Sequence, residues 1–301
     1  MLGGIRAFLM NSSAPNRQII LYIAAALIAA WLWMLSIRLG FRPSEWVWVT
    51  VLMWIPGLAS ILFRFVFHEG FADVGWRIGK IRFWAWAYIG PLALASLSVL
   101  VALLLGKVTV APHLSDQTML EAVFFKLSWP MRDAPVGGLL IQRFLAVALI
   151  SIGPGFFCAF GEELGWRGYL LPRLMQAGWP SPLLLSGVVW GIWHLPLFVF
   201  TGYAHGKLVL SLLMFTLLTA LFGVFIGWLR LASGSVFVAA MAHTSFNAFV
   251  QSFFRVSFVG DGAWFLIGDY GILTIIPYGA LVAWLYWSRR VHAVLPRSIA
   301  M

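Results

Sequence analysis

The sequence predicts an all-α, polytopic membrane protein of about eight transmembrane helices surrounding a polar cavity inside the bilayer. Three observations carry this expectation. Of 301 residues, 62% are hydrophobic and only 10% charged, whereas soluble domains hold about 25% charged residues. Apolar runs long enough to cross about 30 Å of hydrocarbon, about 20 residues as a helix, recur along the chain. Among the polar residues in or beside those runs, three short sets stand out.

The runs at 19–37, 46–67, 84–106, 139–161, 182–204, 208–229, 235–254 and 264–288 each have the length of one helical crossing. FRPSE at 41–45, QAGWPSP at 176–182 and GDG at 260–262 punctuate them as loops. Gly153-Pro154-Gly155 is expected to break the fourth run near its middle, as in discontinuous transporter helices. The longest connection, 107–138, contains SDQTMLEAVFFKLSWPMR, whose mixed pattern predicts a short interfacial helix. The start, MLGGIRAFLMNSSAPNRQ, has a short apolar patch and no cleavage site after it, so the first span is expected to act as an uncleaved anchor. With no internal repeat, residues 1–301 read as a single transmembrane domain with a motif-bearing core at about 139–255.

The formal net charge of +10 does not point to nucleic acid, because the twenty Lys and Arg are scattered between apolar runs. Scattered loop cations orient a membrane protein. With eight crossings, twelve of the twenty fall on the side of the termini, which predicts both termini in the cytoplasm of a multi-pass cell-membrane protein. Cys158, the only cysteine, can form no internal disulfide and no thiolate metal cluster.

An ionisable group within a span costs roughly 2.5–3.5 kcal/mol on insertion scales, so each requires a reason. The sets are EELGWR at 162–167, His194, and His243 with Asn247. Glu163 and Arg167 are four apart with the acid first, the favourable order for an ion pair on one helical face. Glu162 points about 100° away and lacks that partner, which makes it the candidate general base. His243 and Asn247, also four apart, offer two neutral donors suited to an oxyanion. His194, from another span, is placed to share a water with Glu162. The plain alternative for a lone His or Asn is an interhelical hydrogen bond, worth about 0.6 kcal/mol. For the acidic pair it is a structural ion pair. His205 reads as an interfacial histidine, and His68, His113 and His292 carry no assigned role.

HExxH is absent, as are a Walker A loop and a GxSxG with a plausible histidine partner. EExxxR at Glu162, Glu163 and Arg167, His194 in the following span, and HxxxN at His243 and Asn247 together resemble the three motifs of the CPBP family, the CAAX prenyl endopeptidases and their bacterial relatives, also called the Abi family. The resemblance covers about residues 139–255. The second motif is usually FxxxH, and Trp190 stands in the position of the Phe. The resemblance implies an intramembrane endopeptidase in which Glu162 activates water with help from His194, while His243 and Asn247 form the oxyanion site and Arg167 supports Glu163. It implies substrates that are prenylated C-termini, small peptides or membrane proteins, including roles in bacteriocin maturation or self-immunity. Membrane lipid and a peptide or lipidated protein are the expected partners.

No cofactor is favoured. Two His and a Glu held around zinc, with water as fourth ligand, are the alternative. The competing function is a proton-coupled transporter using the Glu and His cluster as a relay; a third is a scaffold that keeps the motif for folding alone. The site is expected to open to the cytoplasm. Depth poses a difficulty, because a run ending at 161 puts the glutamates near the membrane edge. The two histidines lie roughly 12–18 Å in, at about 1.5 Å per residue.

Overall fold

The structure, a computed structural model, describes residues 14–41, 43–111, 135–200 and 207–296. The expected interfacial helix within 115–132, the N-terminal apolar patch, His113 and His205 lie outside the described residues. Among the described residues, eight long helical segments follow one another: α1 Ala14–Arg38, α2 Glu45–Val66, α3 Ile81–Leu104, α4 Val136–Gln176, α5 Pro182–Phe200, α6 Leu208–Ser233, α7 at 236–257 and α8 Ile272–Trp287.

Six of them, α1 to α6, are long and apolar enough to cross a bilayer. The chain is thus an all-α, multi-pass membrane protein. Large apolar side chains stand exposed on its outer surface, such as Leu32 (63%), Ile141 (64%) and Leu213 (63%), as a lipid-facing surface requires. The expected eight crossings are reduced to six by this measure for two reasons. The polar residues of α7 (His243, Thr244, Ser245, Asn247 and Gln251) lower its mean hydropathy. The final run, expected at 264–288, is divided by Gly268 with φ +90°, so that Ala263–Leu266 is a separate turn and α8 keeps only 16 residues.

Two further expectations about α4 are corrected. The helix does not stop at 161 but continues to Gln176. Gly153-Pro154-Gly155 does not break it. Pro154 has no N–H for the ladder, and the chain absorbs the loss as a π-helical turn, Ser151–Gly155. A second π turn, Trp166–Leu170, precedes Pro172. Pro172 would leave the Gly168 carbonyl unpaired, and Arg64 Nη2 of α2 donates to that oxygen at 2.8 Å instead.

The helices alternate between two chemically distinct ends. At the end where α1 begins and α8 finishes, Asp73 in the α2–α3 connection accepts from Arg64 at 2.7 Å and from Arg173 at 3.1 Å. Its carbonyl accepts from Arg230 at 2.7 Å. Glu69 joins the network through Arg173 and, at 2.7 Å, Gln18. At the other end, β1 Thr109–Val110 pairs antiparallel with β2 Phe258–Val259, with Thr109 opposite Val259.

Glycines let α2 and α4 approach closely. A Cβ on Gly57 would lie 2.5 Å from the Gly161 carbonyl oxygen, and one on Gly165 would lie 2.5 Å from Pro56. Gly161 and Gly165 form the small-xxx-small spacing that packs membrane helices, and they bracket the two glutamates. Gly187 and Gly191 play the same part between α5 and α6. Gly165→Val forces these backbones apart, and overpacking of this kind costs about 1–3 kcal/mol. Its unfolding midpoint in detergent is expected to fall, whereas Gly137→Ala, with open space around the site, is expected to leave the midpoint within error of wild type.

Candidate active site

Because α4 runs on past 161, its second half is wrapped by protein. Glu162 is 2% exposed, and Glu163 and Arg167 are fully buried. The amphipathic stretch after them buries Leu164, Trp166, Tyr169, Leu170 and Leu171, and this apolar burial draws the motif inward. The glutamates thus lie well inside a continuous helix and not at its end.

Arg167 Nη1 donates to Glu163 Oε1 at 2.9 Å, one helical turn away. The same oxygen meets His243 Nδ1 of α7 at 2.9 Å. A carboxylate oxygen paired with Arg is an acceptor, so Nδ1 carries the proton of the neutral imidazole and donates it. This revises the expectation of two neutral donors. The remaining nitrogen, Nε2, presents a lone pair in neutral His243 and an N–H only in the imidazolium.

Trp190 of α5 links the motifs. Its indole Nε1 donates to Glu162 Oε2 at 2.5 Å, and its ring centroid is 4.9 Å from that of His243. The Arg167 guanidinium sits over its ring at 4.8 Å, a cation–π arrangement. Its carbonyl accepts from His194 Nδ1 at 2.9 Å. That bond fixes Nδ1 as the protonated nitrogen of neutral His194 and leaves Nε2 as an acceptor. His194 itself occupies a turn between two helical pieces of α5, since Pro196 two residues on cannot donate to the ladder.

Glu162, Trp190, His194, His243 and Asn247 line one cavity of about 560 Å³. They come from α4, α5 and α7, and α2 and α6 supply apolar walls, among them Trp48, Met53, Phe215 and Phe222. Glu163 and Arg167 lie behind this lining. The cavity reaches toward the strand-pair end, where its lining includes Val259, 37% exposed. The termini are at the other end.

The motif residues picked out from sequence are thus brought together, with Asn247 one turn beyond His243. Reading the sequence missed Trp190 as a polar partner, although its departure from the usual Phe was the available signal. It also missed Gln251, Arg255 and Asp269, which line the same cavity. Among the described residues, no group of three His, Cys, Asp or Glu side chains is arranged to hold a metal ion. Both imidazoles engage only Nδ1 and keep Nε2 free, the form in which a histidine can also serve as a metal ligand.

Residues 143–249 match the family model of Rce1-like type II CAAX prenyl endopeptidases. The Rce1-like segment spans α4 to the π-helical part of α7 and contains Glu162, Glu163, Arg167, His194, His243 and Asn247. It agrees with the resemblance carried by those motifs and falls within the core expected at 139–255. No curated protein matches the chain.

Trp190→Phe keeps an aromatic wall in the Rce1-like core and removes only the indole N–H. A hydrogen bond to a charged group is worth about 1.5–3 kcal/mol, so kcat on a cleavable reporter peptide is expected to fall roughly tenfold or more. KM and the unfolding midpoint should change little. An unchanged kcat would mean that the indole does not position Glu162.

Proposed function

We propose that this protein is an intramembrane endopeptidase that cuts a peptide bond in a membrane-anchored substrate, using a water activated by Glu162 and forming no acyl-enzyme. The observation that carries this reading is the convergence of Glu162, His194, His243 and Asn247, from three helices, on a single cavity. The family match supports the same class of chemistry.

In the proposed reaction the water oxygen attacks the scissile carbonyl carbon while Glu162 takes a water proton. His194 Nε2 accepts the water's other hydrogen bond and fixes its direction. The carbonyl oxygen becomes an oxyanion facing the Asn247 amide and, when His243 is the imidazolium, its Nε2–H. The buried Glu163 carboxylate supports that imidazolium, as an orienting acid supports a catalytic histidine. Losing one oxyanion donor typically costs about 2.7–4 kcal/mol of transition-state stabilisation. The intermediate collapses with cleavage of the C–N bond, and the leaving amine takes the proton from Glu162. Glu162 returns to its starting state, and no bound metal enters the sequence.

The apolar walls suit a lipidated peptide, and prenylated C-termini are the substrate class that the family suggests. All eight helices are proposed to cross the bilayer, α7 bringing its polar residues across only because they face the cavity and their partners. Substrate enters from the strand-pair end.

The test is hydrolysis of a quenched, farnesylated reporter peptide by purified protein in proteoliposomes. Glu162→Gln is expected to lower kcat by roughly 10²–10⁴, the range of general-base catalysis, with an unchanged unfolding midpoint and with wild type insensitive to chelators. Retained cleavage by Glu162→Gln, or loss on chelation with recovery on added zinc, would overturn the mechanism.

A further inference from the structure

The end of the bundle where α1 begins and α8 finishes carries an unbalanced charge. Among the described residues its acids are Glu69 and Asp73, and both are already held by Arg64 and Arg173. Arg77, Lys80, Arg82, Arg289 and Arg290 stand exposed at the same end. None of these five pairs with an acid among the described residues.

The packing of α3 against α8 gathers two of these cations. Ser98 of α3 donates to the Leu273 carbonyl at 2.7 Å. Nearer the basic end, Trp86 of α3 stacks on Trp284 of α8, with ring centroids 6.4 Å apart and an interplanar angle of 18°. The two helices therefore run antiparallel. Arg82, one turn before Trp86 on the same face, comes level with the end of α8. There the Arg290 guanidinium lies 4.8 Å from the Trp284 ring centroid, and that of Arg82 lies 5.0 Å from the Phe83 centroid. Arg289 has φ +56°, a left-handed conformation that usually falls to glycine at a helix end. The turn it makes leaves two consecutive arginines exposed. Next to these cations the surface is apolar: Ile89 of α3 is 56% exposed and Trp287 of α8 84%.

We propose that this α3–α8 surface binds a phospholipid with an anionic headgroup, its phosphate between Arg82 and Arg290 and its acyl chains along the exposed apolar residues of α3. A guanidinium presents a fork of N–H donors to phosphate oxygens. The cation–π contact with Trp284 holds that of Arg290 in place before the lipid arrives. Trp86 and Trp287 have the side chain suited to the level where headgroups meet acyl chains. A zwitterionic headgroup carries its own cation and gains less from the arginines. A soluble anion would match the arginines alone, whereas a phospholipid matches both the cations and the apolar surface beside them. The site involves none of the residues of the peptidase reading, so either can fail alone.

The test is native mass spectrometry of the full chain, released from micelles that contain equal amounts of phosphatidylglycerol and phosphatidylcholine. A cation near an anionic lipid surface strengthens binding about fivefold, so wild type is expected to retain phosphatidylglycerol at least about tenfold more than phosphatidylcholine. Arg82→Gln/Arg290→Gln is expected to lower that preference at least about fivefold. Lys107→Gln/Lys207→Gln, at the strand-pair end, should keep it. Equal retention of the two lipids by wild type would overturn the proposal, even if the variants fail to fold. An unchanged preference in the arginine variant would overturn it too, as would loss of the preference in the lysine variant. Displacement of phosphatidylglycerol by inorganic phosphate at constant ionic strength would assign the arginines to a free anion and overturn the lipid site.

Discussion

The carboxylate of Glu163 is the constraint on which the rest of this site depends. One of its oxygens is shared by Arg167 on its own helix and by His243, eighty positions away on α7. Both charged partners of the ion pair are fully buried. Isolated charges in such a setting are unfavourable by several kcal/mol, and removing one member of a buried pair typically costs about 3–5 kcal/mol. The arrangement therefore persists only as a whole. It fixes α4 against α7 and assigns the Nδ1 proton of His243. It also sets Arg167 over Trp190, whose indole holds the neighbouring Glu162. Glu163 is thus a structural centre, and its neighbour in sequence faces the cavity.

An apolar chain can hold such a group only if its helices come close enough to exclude alternatives. Gly57, Gly161 and Gly165 bring α2 and α4 into backbone contact around the glutamates. The prolines of α4 are accommodated by π turns, with the Gly168 carbonyl passed to Arg64. The π-helical part of α7, Asn247–Phe254, keeps His243, Asn247, Gln251 and Arg255 on the cavity side. These local departures from ideal α-helix aim side chains that regular geometry would scatter.

Much of this was legible in the sequence because charge is scarce inside apolar runs. Glu162, Glu163, Arg167, His194, His243 and Asn247 stood out for that reason, and the spacing of four gave the Glu163–Arg167 pair directly. Helix ends were less legible. Hydropathy falls at Glu162, yet the following apolar residues pack inward and carry α4 another fifteen positions to Gln176. The eighth run read as one crossing because hydropathy does not register the positive φ of Gly268. Trp190 passed as a wall residue, since its donor has meaning only with Glu162 beside it. Asp269 read as a loop acid because nothing in its neighbours in sequence places Gln251 and Arg255 against it. The direction in which the cavity opens is likewise a property of the packed bundle and not of any one run.

The most direct test of the account is a double-mutant cycle on Glu163→Ala and His243→Ala, read as unfolding free energy in detergent. Residues that share a buried hydrogen bond couple by about 0.5–3 kcal/mol, whereas independent sites add within about 0.3–0.5 kcal/mol. The predicted result is a coupling of at least about 1 kcal/mol, the double variant being less destabilised than the sum of the singles. Simple additivity would contradict the convergence of α4 and α7 on one carboxylate.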